Sequence, residues 1–469
     1  QRQGLSLLYF KAQMRHPCSP VRLSVCAKNA CQHDTSPKPL LEKLFLFQKP
    51  LLEKLFRIFV VSLISLLPMD QQTIIPLVDA YHRRLAVVDT RFVRFLHDKV
   101  NWSSRLIGIR GSRGTGKTTL LLQHIKRTFE RVDDALWVSL DNLWFKTHSL
   151  PDLVEFLYGR GLRYLFVDEV HKYPDWTIVL KNLYDSYPDL NIVYTGSSML
   201  EIDYSKSDLS RRQSLYTLPV MSFREFLSIS SALEVSPVSL EDLLSDHVSL
   251  AMELTPQVTI LQLFDEYLSQ GCYPFYIEAG EEYLLRLAAI VTLVIESDMP
   301  AVESVSYSTI EKTKKLLAII SQSVPMVPNV SRLAAALEST RDSCLGMLHA
   351  LERAQIISTL TKTPKSYKRL SSPDKIFLGN TNLMAALGNK VDLGNRRETF
   401  FNNQLQVIGD VTMPAKGDFF VNGKYLFEVG GAGKTFDQIK DEPSSFLAVD
   451  DVEIGSGSRI PLWMFGLLY

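Results

Sequence analysis

RLIGIRGSRGTGKTTLLLQHIKRTF, residues 105–129, is the stretch whose reading decides the fold. LIGI (106–109) is a short apolar run of strand type, and LLLQHIKRTF (120–129) spaces its apolar residues as a helix does. Between them stands Gly111-x-x-x-x-Gly116-Lys117-Thr118, the spacing of a phosphate-binding loop in the strand–loop–helix setting this motif requires. Gly111, Gly114 and Gly116 let backbone N–H groups turn inward, and Ser112, Arg113 and Thr115 complete the cradle. The following helix adds the partial positive charge of its N-terminus. Lys117 is expected to reach the β- and γ-phosphates, Thr118 to ligate Mg²⁺, and Thr119 to belong to the nucleotide-binding set. ATP and Mg²⁺ are therefore the expected ligand and cofactor.

A phosphate loop needs an acidic strand end beside it. RYLFVDEVH (163–171) offers one: Leu165, Phe166 and Val167 read as a buried parallel strand ending in Asp168 and Glu169. Asp168 would hold the metal, and Glu169 would orient and polarise the attacking water. ALWVSLD (135–141) is a further strand between the two motifs. It points to the branch of such proteins that carries a catalytic glutamate beside the metal-binding aspartate. A helix over 175–188 and a strand over 191–198, NIVYTGSS, come next. Thr195 or Ser197 would sense the γ-phosphate there, with strand-end capping as the plainer role. In DLSRR (208–212), Arg211 and then Arg212 are candidates to stabilise transition-state charge, in cis or from a neighbouring copy; a salt bridge is the bland alternative.

Composition bounds the rest. The chain has 469 residues, 46% hydrophobic and 22% charged, enough for about three globular domains and unlike a disordered or multi-span membrane protein. Lys+Arg and Asp+Glu are equal at 51 each, so no global basic field draws it to nucleic acid. Five cysteines do not make a disulfide scaffold. Residues 1–68 hold ten Lys/Arg against three acidic residues, leaving the remainder acid-rich. They repeat KPLLEKLF at 38–45 and 49–56, and carry the ten-residue apolar run IFVVSLISLL, too short to span a bilayer. This segment reads as an extension outside the functional fold, with Met69 a plausible true start. A membrane tether or targeting sequence is the rival reading. The rest reads as cytoplasmic, with no membrane partner.

IRGSRGTGKTTLLLQHIK, LFVDEVHKYPDW, VYTGSS, DLSRR with SFREFL, and YLSQGCYPF together resemble the bacterial AAA+-related ATPases that carry a C-terminal domain of unknown function related to nucleases. The resemblance covers about 70–469 and implies ATP binding and hydrolysis. Asp168-Glu169-Val170-His171 also matches the DExH box of superfamily-two helicases, but no second motor domain follows. His171 is then an interaction or packing residue.

The expected architecture is an α/β P-loop NTPase core over 69–227, a parallel sheet with an extra strand between the two motifs. A helical lid (228–300), a winged-helix-like domain (301–385) and a small α/β nuclease-like domain (386–469) follow. The lid contains the turn Gly271-Cys272-Tyr273-Pro274-Phe275, in which Cys272 reads as core. The winged-helix reading rests on helices over 309–322, 330–338 and 340–357. It would place helix 340–353 in a DNA groove, with Lys362, Lys365, Lys368 and Arg369 on phosphates. That helix is nearly neutral, so an interdomain role stands beside it. In the terminal domain, Glu398, Asp418 and Glu428 resemble a PD-(D/E)xK nuclease constellation. The lysine expected two residues past the second strand carboxylate is Gly430, with Lys434 and Lys440 the nearest substitutes. VGGAGKT (429–435) mimics a second phosphate loop, but Glu428 stands where its first glycine belongs. Two functions follow: an ATPase that couples nucleotide state to movement of its later domains, or a nucleotide-gated DNA-binding or signalling module with negligible turnover. Self-association would be needed for an arginine acting in trans.

Overall fold

The computed structural model describes residues 69–197, 209–302, 305–362, 372–388 and 392–469. The extension 1–68, and Lys365, Lys368 and Arg369, lie outside them. Among the described residues no helix is long and apolar enough to cross a membrane.

The first half is an α/β layer. Five strands, β1 (Leu106–Gly111), β2 (Ala135–Ser139), β3 (Tyr164–Asp168), β4 (Asn191–Ser197) and β5 (Ser214–Thr217), form one sheet in the order β2-β3-β4-β1-β5. Every pairing is parallel. Such strands are covered on both faces, which is why they read as continuous apolar runs rather than alternating ones. The connections run through helices α1 (Gln71–Val87) ahead of the sheet, then α2 (Lys117–Thr128), α3 (Leu150–Tyr158) and α4 (Trp176–Ser186). α1 starts on Asp70, whose carboxylate accepts from Thr73 N at 2.8 Å, and buries Ile74, Leu77, Tyr81 and Leu85 at helical spacing. The strand between the two motifs in sequence, β2, lies at the sheet edge. In space it is β4 that separates β1 from β3, with Gly111 level with Ser197 and Val167 level with Tyr194. The ends of β1, β3 and β4 thus deliver the phosphate loop, Asp168 and Ser197 to one rim.

Helix α5 (Phe223–Ser231) carries the chain away from the sheet, closed by a full capping box between Ser222 and Glu225. A mainly helical stretch follows: α6 (Leu240–Leu254), α7 (Ile260–Gln270), α8 (Tyr283–Leu293), a π turn at Val294–Asp298, and α9 (Tyr307–Ser321), α10 (Val330–Ala336) and α11 (Arg341–Arg353). An antiparallel ribbon of β6 (Ile357–Leu360) and β7 (Lys375–Leu378) comes next, with Met326 bridged to Ile376. After α12 (Thr381–Leu387) and α13 (Leu393–Ile408) stands a second five-stranded sheet, β12-β11-β10-β9-β8. Its strands are β8 (Val411–Thr412), β9 (Phe419–Val421), β10 (Tyr425–Gly430), β11 (Ser445–Val449) and β12 (Arg459–Pro461). β9 and β10 pair antiparallel, and β10 and β11 parallel.

The apolar residues gather in two large clusters. One spans Ile74 to Leu218 around the first sheet. The other runs from Val220 to Leu468 and takes in the helical stretch, the ribbon and most of the second sheet. The chain returns at its end to where this half begins: the Tyr469 carbonyl accepts from Ser222 Oγ at 2.8 Å and Arg224 Nε at 2.9 Å.

Candidate functional site

The loop between β1 and α2 has the backbone its glycines foretell. Gly114 and Gly116 sit at φ +89 and +92, where a side chain would be strained, and Gly114 packs 3.0 Å from the Phe275 ring measured from an ideal Cβ. Arg94 fixes the loop from below. Its guanidinium donates to the Thr115 carbonyl at 2.5 Å and the Pro219 carbonyl at 2.9 Å, and pairs with Glu225 at 2.8 Å, all buried. The Lys117 ammonium is buried and donates to the Gly111 and Ser112 carbonyls at 2.9 and 3.0 Å. Burial pushes its pKa down, while Glu169, Asp168 and Asp298 pull the other way.

Asp168 lies opposite. Thr118 Oγ1 donates to Asp168 Oδ2 at 2.6 Å, and Thr195 Oγ1 donates to Asp168 Oδ1 from the neighbouring strand. A hydroxyl and a carboxylate oxygen side by side are the hard oxygen donors that Mg²⁺ takes when phosphates supply further ligands, so these residues fit the metal. Glu169 follows in the left-handed region at φ +55, a conformation that costs a non-glycine residue of order 1–3 kcal/mol and that clusters at functional sites. Its Oε2 is 3.3 Å from His171 Nε2. His171 is buried, and its Nδ1 accepts from Ser197 N at 3.4 Å. Asp298, from the π turn, reaches the same place: its Oδ1 is 3.0 Å from Lys172 Nζ, 3.5 Å from Arg113 NH1 and 3.6 Å from His171 Nε2. Burial alone would raise the Asp298 carboxyl, but His171 and Lys172 outweigh it and hold it at about 2.

A cleft of about 460 Å³ is lined by Lys117, Thr118, Thr119, Asp168 and Glu169 together with Arg84, Trp137, Pro274, Phe275 and Glu278. A second cavity of about 860 Å³ shares Arg84, Thr118, Thr119, Pro274 and Glu278 and continues onto apolar Val87, Val88, Phe92, Ile229 and Ile277. The two form one polar-to-apolar trough. Its far wall is the turn after α7, in which Cys272 is buried core with its thiol pushed up to about 11 by burial.

The structure thus brings Gly111–Thr119, Asp168, Glu169, Thr195 and Ser197 to one rim. Arg211 and Arg212 are elsewhere. They precede Ser214, which is level with Ile107 at the start of β1, the end of the sheet opposite the loop. Arg211 is exposed, and Arg212 Nε is 2.9 Å from Asp185 Oδ1. Neither lines the cleft of its own chain.

The terminal carboxylates also converge, on a different centre. Val429 N donates to Asp418 Oδ2 at 2.8 Å, joining β10 to the residue before β9. Lys434 Nζ is 2.6 Å from Glu428 Oε1, and Lys375 Nζ, from β7, is 2.6 Å from Glu398 Oε2. Burial pushes the Asp418 carboxyl up; the Val429 N–H draws it back, and Glu398 adds to the rise. Two of the three carboxylates are therefore already matched by ammonium groups. Among the described residues no group of three or more His, Cys, Asp or Glu is placed to hold a metal ion. Lys440 appears in none of these pairs.

Sequence reading missed Arg84, Arg94, Asp298, Gln355 and Lys375. Only Arg94 had a signal, and an indirect one: the Ser222-x-x-Glu225 capping pattern marks the partner it pairs with. Gln355 Oε1, in the left-handed turn after α11, accepts from Ser112 N at 3.2 Å.

Residues 103–227 match the family model of an AAA domain, and residues 261–397 match a domain of unknown function (DUF8612). An uncharacterized protein of Methanocaldococcus jannaschii, MJ1637, is 27% identical over 305 residues, 62% of this chain and 64% of that protein, so the chain spans a little under two thirds of its curated relative. Among solved structures, the replication initiator DnaA bound to AMPPCP and single-stranded DNA aligns at 13% identity over 62% of this chain and 92% of that one, with a TM-score of 0.26. The Saccharomyces cerevisiae Hsp104–ADP complex aligns at 17% identity over 58% and 38%, with a TM-score of 0.25. Scores this low mark a loose overall likeness and nothing more. The loop, the acidic strand end and the matched domains agree: the chain carries an AAA domain with a P-loop, followed by a domain of unknown function.

Proposed function

We propose that the chain binds Mg-ATP in the trough and hydrolyses it. The observation that carries this reading is the convergence on one cleft of Lys117, the hydrogen-bonded set Thr118–Asp168–Thr195, and a backbone-strained Glu169. The loop amides and Lys117 would grip the β- and γ-phosphates, and the apolar extension past Pro274 would take the base. Thr118 and Asp168 would hold Mg²⁺, which when bound neutralises charge between the β- and γ-phosphates. Glu169 would orient the attacking water as its general base. Thr195, tied to Asp168, and Ser197, tied to His171, would report phosphate occupancy. Arg211 lies near the other end of the sheet from its own cleft, so any part it takes in turnover would need a second copy of the chain.

The later domains are read as responders. Three helices, a ribbon and the Met326–Ile376 bridge support the winged-helix reading, and Gln355 after the third helix touches Ser112 of the phosphate loop. That contact favours an interdomain role over DNA reading. The terminal carboxylate–lysine cluster is read as structural support.

The test is turnover and calorimetry on wild type, Lys117→Ala and Glu169→Gln. Expected are loss of nucleotide binding in the first variant, and in the second retained binding with kcat down by roughly 10²–10⁴-fold. A nucleotide switch without turnover would leave wild type and Glu169→Gln alike.

A further inference from the structure

We propose that Asp298 is a positioning residue for ATP hydrolysis: acting through His171, it sets the Glu169 carboxylate toward the nucleotide cleft. The inference rests on the ATPase reading of that cleft and adds to it a residue from the domain of unknown function.

A carboxylate 2% exposed is costly unless it is matched. Asp298 is matched by three side chains, and all three belong to the nucleotide machinery. Arg113 comes from the phosphate loop itself; His171 and Lys172 stand two and three residues after Glu169. Lys172 also donates to the neighbouring Ser297 Oγ at 3.0 Å. The backbone around Asp298 is unusual as well. The helical run from Tyr283 widens into a single π turn at Val294–Asp298, a distortion that recurs at functional sites.

His171 transmits the position. Ser197 N–H donates to Nδ1, which leaves Nε2 on the side of the two carboxylates. Nε2 lies between Glu169 Oε2 at 3.3 Å and Asp298 Oδ1 at 3.6 Å. The ring is thus held on one side by the end of β4 and on the other by the π turn, with Glu169 as the third contact. Glu169 still lines the cleft while touching His171, so the contact orients the carboxylate rather than withdrawing it. A shift of the 294–298 segment would move His171 and, with it, the general base. This gives the second domain a direct handle on turnover.

Steady-state turnover and nucleotide affinity of Asp298→Asn, His171→Ala and the double variant test this, with Glu169→Gln as reference. Asp298→Asn should lower kcat by about tenfold or more, the scale of a small misplacement of a reacting group. Nucleotide affinity should stay within about threefold, separating positioning from binding. His171→Ala should behave likewise. The double variant should be no slower than His171→Ala alone, because both changes cut one path. Wild-type or faster turnover in Asp298→Asn overturns the proposal. So do losses that multiply in the double variant, or a fall in affinity that matches the fall in kcat, since either marks a purely structural role. If Asp298→Asn does not fold, His171→Ala decides alone, and wild-type kcat there overturns the idea. If Glu169→Gln itself turns over normally, it is the ATPase reading that has failed.

Discussion

The chain has two Gly-Lys-Thr turns that follow a buried strand, and they put their lysines to opposite uses. After β1, Gly116-Lys117-Thr118 opens a 12-residue helix, and the Lys117 ammonium rests on two main-chain carbonyls of its own loop. After β10, Gly433-Lys434-Thr435 leads into turns, and Lys434 closes back on Glu428, the residue standing where a phosphate loop would have its first glycine. A carbonyl is a dipole, so an ammonium resting on it keeps its net charge for an incoming phosphate. A carboxylate cancels it. The difference shows that the first glycine matters for more than turning the backbone: it keeps an anion out of the nest.

Substitution of the two lysines breaks or sharpens that contrast most strongly. Lys434→Met strands Glu428, which is 1% exposed and whose Oε2 already has no hydrogen-bond partner. Unfolding by denaturant should show a loss of roughly 3–5 kcal/mol, largely regained when Glu428→Leu is added. ATP turnover per folded chain should not change. Lys117→Met strands two carbonyls, while the nearby Asp168 keeps its Thr118 and Thr195 hydroxyls and Asp298 keeps Lys172, so its stability cost should be about 1 kcal/mol while calorimetry registers no nucleotide binding. Equal destabilisation by the two substitutions would dissolve the distinction.

The same contrast explains what was legible in the sequence. The nucleotide rim is written locally: Gly111–Thr118 is one run, Asp168-Glu169 one dipeptide, and each apolar strand announces its burial. Strands at 106–111, 164–168 and 191–197 fall where the apolar runs place them. Contacts between distant segments leave no such trace. Nothing in YKRLSSPDKIF says that Lys375 meets Glu398, and nothing in VIESDMP says that Asp298 meets His171. The order of the sheet was hidden for the same reason. Chain order puts β2 between the motifs, whereas pairing puts β4 there. Arg211 read as a charge-stabilising arginine acting in cis or from a neighbouring copy, and its place just before Ser214, level with Ile107, puts it at the other end of the sheet from its own phosphate loop.

Acid titration should separate the two regions by sign. Asp298 titrates at about 2 in the folded protein, below its ordinary 3.8. Its contribution, about 2 kcal/mol, is fully present above pH 4 and is lost as pH falls through 2. The stability gap between wild type and Asp298→Asn should therefore be widest near neutrality and narrow in acid. Asp418 is shifted upward, chiefly by burial. A raised carboxyl favours the folded state at low pH, and that help is lost as pH rises through its folded value. Asp418→Asn, which keeps an oxygen for Val429 N, should gain on wild type as pH rises. Parallel pH profiles for the two variants would show that the two carboxylates do not differ as their surroundings require.

The smallest effect is expected at Lys375, and it isolates the variable that matters. The Lys375–Glu398 and Lys434–Glu428 pairs have the same separation, 2.6 Å. Distance alone predicts equal contributions. The surroundings differ: side-chain exposure is 19% and 23% for the first pair, against 31% and 1% for the second. Glu398 can recruit water if its lysine is removed, and the Lys375 ammonium also lies 5.1 Å from the Phe377 ring centroid. A partly exposed cation–π contact of this kind adds about 0.5–1 kcal/mol at most. Lys375→Met should therefore cost about 1 kcal/mol or less in denaturant unfolding, several-fold below Lys434→Met. A cost at Lys375 equal to that at Lys434 would mean that separation, not the desolvation of the partner left behind, governs these pairs. The reading of Glu428 as a carboxylate that needs its lysine would then fail with it.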